Sequence, residues 1–331
     1  MKWTSLAAMA VSAAATLSIG TTAVAQGAAG FPSKPIKVMV PLAPGGGVDT
    51  VTRKLGEKLG AQLGKPIIVE NKPGAAGTLG IDAAAKAPPD GYTLVLTAGS
   101  AIAINPHVLR KMPYDTAKDL VPVAQVGTTP LVWLVNASHP AKTLREFIAA
   151  AKAKPKDATF GSYGNASVGH LLGEALNKAA GIDMVHVPYK GAAPAITDLI
   201  GGQVSAVVAD FASARAHIGP GGKLRALALS SAKRVPAFPS VPTFGEEGLP
   251  QMDSMNGWLG VFAPAKTPKD IVDKLAAEIG KALQAPELKT GLAELGYEAT
   301  GTPTDKFAAI VKQDTDRWGA VIKSVGGITL D

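Results

Sequence analysis

Short apolar runs alternate with helix-period stretches along most of this chain. Ile36–Val40 and residues 67–69 read as buried strands. Between them apolar positions recur at steps of three and four, which predicts a helix over 50–63. A strand over 94–97 follows the turn Pro88-Pro89-Asp90-Gly91. Further strands are predicted at 131–135, 159–161, 185–187, 224–230 and 257–262, with helices at 144–153 and 169–180. Helices over 269–283, 286–295 and 305–325 close the chain. Strands alternating with helices argue for α/β layers, with sheets expected to be largely parallel.

Two stretches repeat one plan. "PGGGVDTVTRKLGEKLGAQLGKPIIVENKPGAAG" and "YGNASVGHLLGEALNKAAGIDMVHVPYKGAA" each run from a small-residue loop through a helix and a strand. Both then reach Lys-(Pro)-Gly-Ala-Ala, at Lys72 and at Lys190. Two similar βαβα units predict two similarly built lobes, each with its loops at the carboxyl edge of a sheet, where ligands of open α/β sheets sit. Two such lobes facing each other enclose one cleft. The crossovers are expected near 128–129 and 248–253, so that 26–128 and 250–331 form one lobe and 129–249 the other.

Composition adds an address and removes several functions. Lys2, an alanine-rich apolar run and Ala23-Val24-Ala25 make the pattern of a cleaved secretory signal peptide over residues 1–25. The chain has no cysteine, so disulfides and thiolate metal sites are excluded and stability must come from packing. A secreted protein of this size without cysteine suits a bacterial periplasm. The formal charge of +7 is scattered over helix lysines such as Lys54, Lys58, Lys152, Lys154 and Lys156. No aromatics are interleaved with them, which argues for a solvated face and against nucleic-acid binding. The five histidines show no metal-ligand spacing, and no cofactor is expected.

The candidate chemistry lies in loops that end strands. Pro44, Gly45, Gly46, Gly47 and Asp49 lead from the first strand into a helix. Three adjacent glycines give the backbone unusual freedom, including conformations that only glycine adopts readily. The loop fits neither the Walker A pattern, because Val48-Asp49 follows the last glycine, nor the dinucleotide fingerprint. Exposed N–H groups and the positive end of a helix dipole bind anions without a charged side chain. The alternative is a plain strand-to-helix turn, with Asp49 capping the helix and reaching Arg53 one turn on.

A second loop places Ser162, Asn165 and Ser167 before another helix. Asn165-Ala166-Ser167-Val168-Gly169 nearly matches a nucleophile elbow, which would pair Ser167 with His170 in a hydrolase. A capping serine beside a helix histidine explains the same residues. A third loop carries Ser100 and Ala101, and a fourth carries Asp210 as either a helix cap or a ligand contact. None of these loops holds Arg or Lys, so a carboxylate there would rest on N–H groups, hydroxyls, amides and water.

The stretches "VPLAPGGGVDTVTRKL", "VENKPGAAGTLGIDAAAKAPPDGYTLVL", "GSYGNASVGHLLGEAL", "VPYKGAAPAITDLIGGQV" and "GWLGVFAPAKTP" resemble the Bug-type receptors. Those are the extracytoplasmic solute-binding proteins of tripartite tricarboxylate transporters, and the resemblance covers essentially the whole mature chain. It implies a type II periplasmic-binding fold whose two α/β lobes close like a flytrap on a small carboxylate. It further implies binding loops at residues 44–49, 98–101 and 162–167, an Asp near Asp210, and delivery to the transporter's membrane subunits by a monomer. The chain departs from the family at Leu42, where many relatives carry an aromatic, and in the apolar neighbours of Asp210. Two other readings stand beside it, a receptor that presents its ligand to a sensor kinase and the serine hydrolase.

Overall fold

The computed structural model describes residues 30–330 apart from 156, 190 and 237. The signal-peptide reading and Lys190 therefore lie outside the described residues. In chain order the strands are β1 (Ile36–Val40), β2 (Ile67–Asn71), β3 (Thr93–Ala98), β4 (Leu120–Thr129), β5 (Leu131–Asn136) and β6 (Thr159–Ser162). They continue with β7 (Val185–Pro188), β8 (Ala206–Asp210), β9 (Leu224–Leu229), β10 (Gly257–Pro264) and β11 (Glu298–Pro303). The helices begin with α1 (Gly47–Leu63), α2 (Thr78–Ala85), α3 (Gly99–Ala103), α4 (Asn105–Val108), α5 (Thr116–Asp119) and α6 (Leu144–Ala153). After them come α7 (Val168–Ala180), α8 (Ala192–Ile200), α9 (Phe211–Ala214), α10 (Lys269–Gln284), α11 (Pro286–Glu294) and α12 (Thr304–Ser324).

Two sheets form, in the orders β11-β4-β10-β3-β1-β2 and β7-β6-β8-β5-β9. The repeated sequence plan appears as matched topology. β1 lies parallel between β3 and β2, just as β6 lies parallel between β8 and β7. Beyond these trios the sheets are antiparallel, because β10 runs against β3 and β4, β11 against β4, and β5 against β8 and β9. The expectation of largely parallel sheets is thus corrected to mixed ones. β10 and β5, both predicted as strands, reverse direction within their sheets, and β4 and β11, which the pattern does not predict, add two further antiparallel pairs. Pro122, Gln125 and Gly127 hide β4 from a periodicity argument, while Gly301 and Pro303 hide β11.

Each sheet is covered on both faces, which is why strands such as LVWLVN in β5 are apolar at every inner position. α1 presents Val48, Val51, Leu55 and Leu59 to the first sheet at helical spacing, beside α10 and α11. Ile81 of α2, Ile102 of α3 and Phe307 of α12 cover the opposite face. On the second sheet, α6 and α7 bury Phe147, Leu171, Leu172 and Leu176 on one side, and α8 and α9 bury Ile196, Leu199 and Phe211 on the other.

The chain passes from the first sheet to the second through Pro130 alone, between Thr129 and Leu131. It returns between Leu229 and Gly257. The second sheet's main core also takes in Ile104 and Val108 from the first segment, Met252 and Met255, and Trp318 and Ile322 of α12. α12 therefore belongs to both cores, through Phe307 at one end and Trp318 at the other.

Helix α7 packs so closely on β6 that a Cβ on Gly173 would overlap the Phe160 ring. Gly173→Ala should therefore destabilise the protein by about 1–3 kcal/mol through overpacking, despite alanine's better helix propensity. Chemical denaturation checks this, and an unchanged or raised stability would contradict the close approach.

Candidate functional site

The first loop leaves β1 at its carboxyl edge, and α1 starts at Gly47, three residues earlier than the sequence pattern gives. Only Gly45 needs glycine for its backbone, at φ +83°. Gly46 is extended at φ −75°, a conformation open to any residue, and Gly47 is helical. At those two positions glycine contributes space. Leu42 is 42% exposed, and Pro44 through Gly47 are exposed beside it.

Asp49 faces inward. It is buried, and its Oδ2 accepts the Gly45 N–H at 2.8 Å and Arg53 Nε at 3.1 Å. Its Oδ1 accepts Asn71 Nδ2 at 3.0 Å and pairs with Arg53 Nη2 at 3.0 Å. Asn71 also donates to the Leu42 carbonyl at 3.1 Å and accepts from Arg53 at 3.0 Å. The carboxylate thus ties the loop, the first turn of α1 and the end of β2 together. The Arg53 hydrogen bond, helped by the Gly45 N–H and Asn71, outweighs burial and holds Asp49 down at about 2. With Gly45 engaged, the N–H groups of Gly46, Gly47, Val48 and Asp49 are left without a partner among the described residues.

The second loop is more self-contained. Ser162 is fully buried, and its Oγ lies 2.8 Å from His186 Nε2 and bonds the Gly164 carbonyl at 3.0 Å. Ser167 caps α7, accepting the His170 N–H at 3.1 Å and donating to the Gly164 carbonyl at 2.7 Å. The Tyr163 hydroxyl accepts the Gly169 N–H at 3.1 Å. Donors at the start of α7 are therefore largely satisfied from within, so the helix start behind the first loop is open and the one behind the second mostly filled. Asn165 is exposed. The imidazole of His170 bonds the Ala166 N–H and not Ser167, so the nucleophile–base pair of the hydrolase reading is not assembled.

In the third loop Ala101 is buried and Ser100 half-buried at the start of α3. The Trp258 indole of β10 lies against Gly99, and its Nε1 donates to Asp314 Oδ2 of α12 at 2.6 Å. Asp210 is a helix cap: Oδ1 accepts the Ser213 N–H at 2.8 Å and Oδ2 the Ser213 hydroxyl at 2.9 Å. Burial first, and the Asp210 charge second, push the Tyr163 and Tyr297 phenols up. Tyr297 also reaches the first loop, since a Cβ on Gly47 would stand 3.3 Å from its hydroxyl. Gly296, at φ +78°, lets this turn press on Ala212 of α9.

Gly47, Asp210, Tyr163 and Tyr297 therefore converge from both sheets. Ser100 carries no hydrogen bond to them among the described residues. Asn71, Tyr163, Tyr297 and Trp258 are the residues that sequence reasoning missed. Tyr163 stood inside a loop already singled out, but nothing local marks Asn71, Tyr297 or Trp258. A groove of about 580 Å³ lined by Arg53, Gly56, Gly60, Lys65 and Ile67 runs along α1 and β2, and it includes no residue of the four loops.

Residues 51–327 match the family model described as tripartite tricarboxylate transporter family receptor. Protein BugT of Bordetella pertussis is 36% identical over 297 residues, covering 89% of this chain and 90% of BugT. Two solved structures from Rhodopseudomonas palustris share the fold and detectable sequence. A protein with adipate is 30% identical at TM-score 0.79, covering 91% of this chain and 100% of its own. MatC with bound malate is 33% identical at TM-score 0.74, covering 88% and 99%.

Asp49→Ala should cost about 1–3 kcal/mol, because it strands the Gly45 N–H and Asn71 while the half-exposed Arg53 returns to solvent. The carboxyl is held below its ordinary value in the folded state, so its contribution is complete above about pH 4 and is lost as pH falls toward 2. Stability measured from pH 6 to pH 2 should show the variant and wild type converging in acid. A constant difference across that range would contradict the network.

Proposed function

Because the chain belongs to the family of tripartite tricarboxylate transporter receptors, we propose that it is a periplasmic solute-binding protein that captures a small carboxylate between its lobes. It would be secreted through the signal sequence at residues 1–25, act as a monomer, and deliver its ligand to the transporter's membrane subunits. The observation that carries this reading is the start of α1. Among the described residues the N–H groups of Gly46, Gly47, Val48 and Asp49 have no partner, at the start of a 17-residue helix whose first-turn carboxylate is already neutralised by Arg53. An anion placed there meets donors and the positive end of the dipole without meeting an unscreened Asp49.

Tyr297 and Tyr163 would close the other side, with Asp210 behind them favouring a ligand group that donates a hydrogen bond. The adipate and malate held by the two Rhodopseudomonas palustris proteins support a carboxylate of this size. By sheet membership we assign 30–129 and 250–330 to one lobe and 131–249 to the other, joined at Pro130. In this assignment α3, α4 and the end of α12 dock on the second lobe's core.

A melting screen against malate, adipate, citrate, benzoate and glucose tests the proposal. At least one carboxylate should stabilise the protein, by about 2.7 kcal/mol at 100 times its dissociation constant, and glucose should not. Gly47→Val places its side chain against the Tyr297 hydroxyl and over the N–H groups, in a helical conformation valine tolerates. It should fold and lose the shift. A response to glucose alone, or an undiminished carboxylate shift in Gly47→Val, would overturn the reading.

A further inference from the structure

Beneath the second loop two histidines meet. His170 of α7 and His186 of β7 stack with ring centroids 3.7 Å apart and planes 9° from parallel. Phe160 of β6 packs beside them, with centroids 5.0 Å from His186 and 6.5 Å from His170. Each imidazole holds a different point of the loop. Nδ1 of His170 accepts the Ala166 N–H at 3.1 Å, and Nε2 of His186 is bonded to Ser162 Oγ at 2.8 Å. Ser162 Oγ in turn bonds both the carbonyl and the N–H of Gly164, at 3.0 and 3.3 Å. Ala166 sits at φ +55°, a left-handed conformation that a residue with a Cβ keeps only when its surroundings impose it.

We propose that His170 and His186 are positioning residues, which as a neutral stacked pair hold the 162–167 loop in the shape that receives the ligand, and that one added proton releases it. The inference rests on the reading of this loop as a ligand loop. Nδ1 of His170 is an acceptor here, so a proton on it would set two N–H donors against each other. A proton on His186 would place a charge on a half-buried ring stacked against a second imidazole. Burial first, and His170 second, hold His186 down at about 4.

The groups facing the pair come from three elements. On α7, Glu174 Oε1 lies 3.6 Å from His170 Nε2, and its charge partly offsets the lowering at His186. The loop brings Ala166, Ser167 and the Tyr163 phenol, which is bonded to the Gly169 N–H. β6 brings Phe160 and Ser162, which carry no charge.

The direction of the pH effect follows. A histidine held below its ordinary value binds a proton more readily once the loop opens. The closed loop is therefore fully favoured above about pH 6.5 and loses that advantage as pH falls toward 4. Opening should increase about 30-fold from pH 7.5 to pH 5, given an ordinary value near 6.5 in the open loop and about 4 in the closed one.

Hydrogen exchange on the ligand-free protein tests this without reference to what binds. Exchange of peptides covering 162–168 would be followed by mass spectrometry from pH 7.5 to pH 5, corrected for the intrinsic rate, with α10 as internal reference. The loop should open about 30-fold more at pH 5 while α10 changes little. His186→Gln, polar but unable to gain a proton, should flatten the loop's pH dependence. An imidazole titration by NMR on the wild type should place His186 well below 6.5 and stands even if the variant does not fold. A flat wild-type profile, an equal rise in α10, an unchanged slope in His186→Gln, or a His186 that titrates near 6.5 would each overturn the proposal.

Discussion

A buried carboxylate must be neutralised where it stands, and in this protein that requirement shapes the candidate binding loop. Asp49 meets it with Arg53, Asn71 and the N–H of Gly45. The same bonds fix the path from Leu42 to Gly47, dock the loop on β2, and orient the first turn of α1 outward. Arg53 also removes a field that would otherwise repel an anion at that turn. The acidic residue nearest the proposed anion site is therefore what makes the site possible. Without the network a run of three glycines would be too mobile to present N–H groups in a fixed direction.

The second loop solves a comparable problem by other means. Its donors are consumed internally by Ser167, Tyr163, His170 and His186, which leaves shape and the exposed Asn165 as its contribution. The two candidate loops are unequal, although their sheets share one strand plan. Residues distant in sequence join them. Trp258 of β10 lies under Gly99 and is bonded to Asp314 of α12, a helix whose far end enters the second core through Trp318. Tyr297 belongs to the return segment and touches the first loop, while its neighbour Gly296 presses on α9. A movement of one lobe on the other would have to work around α12, which is seated in both.

Much of this was legible in the sequence. Where local periodicity decides, as in β1, α6 and α10, the predicted and observed elements agree within a residue or two. The repeated loop-helix-strand plan correctly signalled two like-built sheets. β4 and β11 escaped because Pro122, Gln125, Gly301 and Pro303 interrupt their patterns, and those strands form only because neighbours supply the ladder. Strand direction is a separate matter, because β5 and β10 are both legible as strands and still run against their neighbours, which local periodicity does not encode. In the candidate site, glycine clustering singled out the first loop but not which glycine the backbone requires. The partners Asn71 and Tyr297 are set by tertiary approach, and no spacing rule reaches that far. Ser162 shows the opposite limit, a polar candidate residue whose side chain turns into the protein.

In the proposed function the N–H groups at the start of α1, unpartnered among the described residues, hold the ligand's carboxylate. Backbone amide shifts during an NMR titration with the most stabilising carboxylate test it most directly. The Gly47 and Val48 amide protons should move downfield with saturable occupancy as they gain a charged acceptor, while Gly45, already bonded to Asp49, should move little. Saturable binding that left Gly47 and Val48 unshifted, or that moved Gly45 most, would contradict the account.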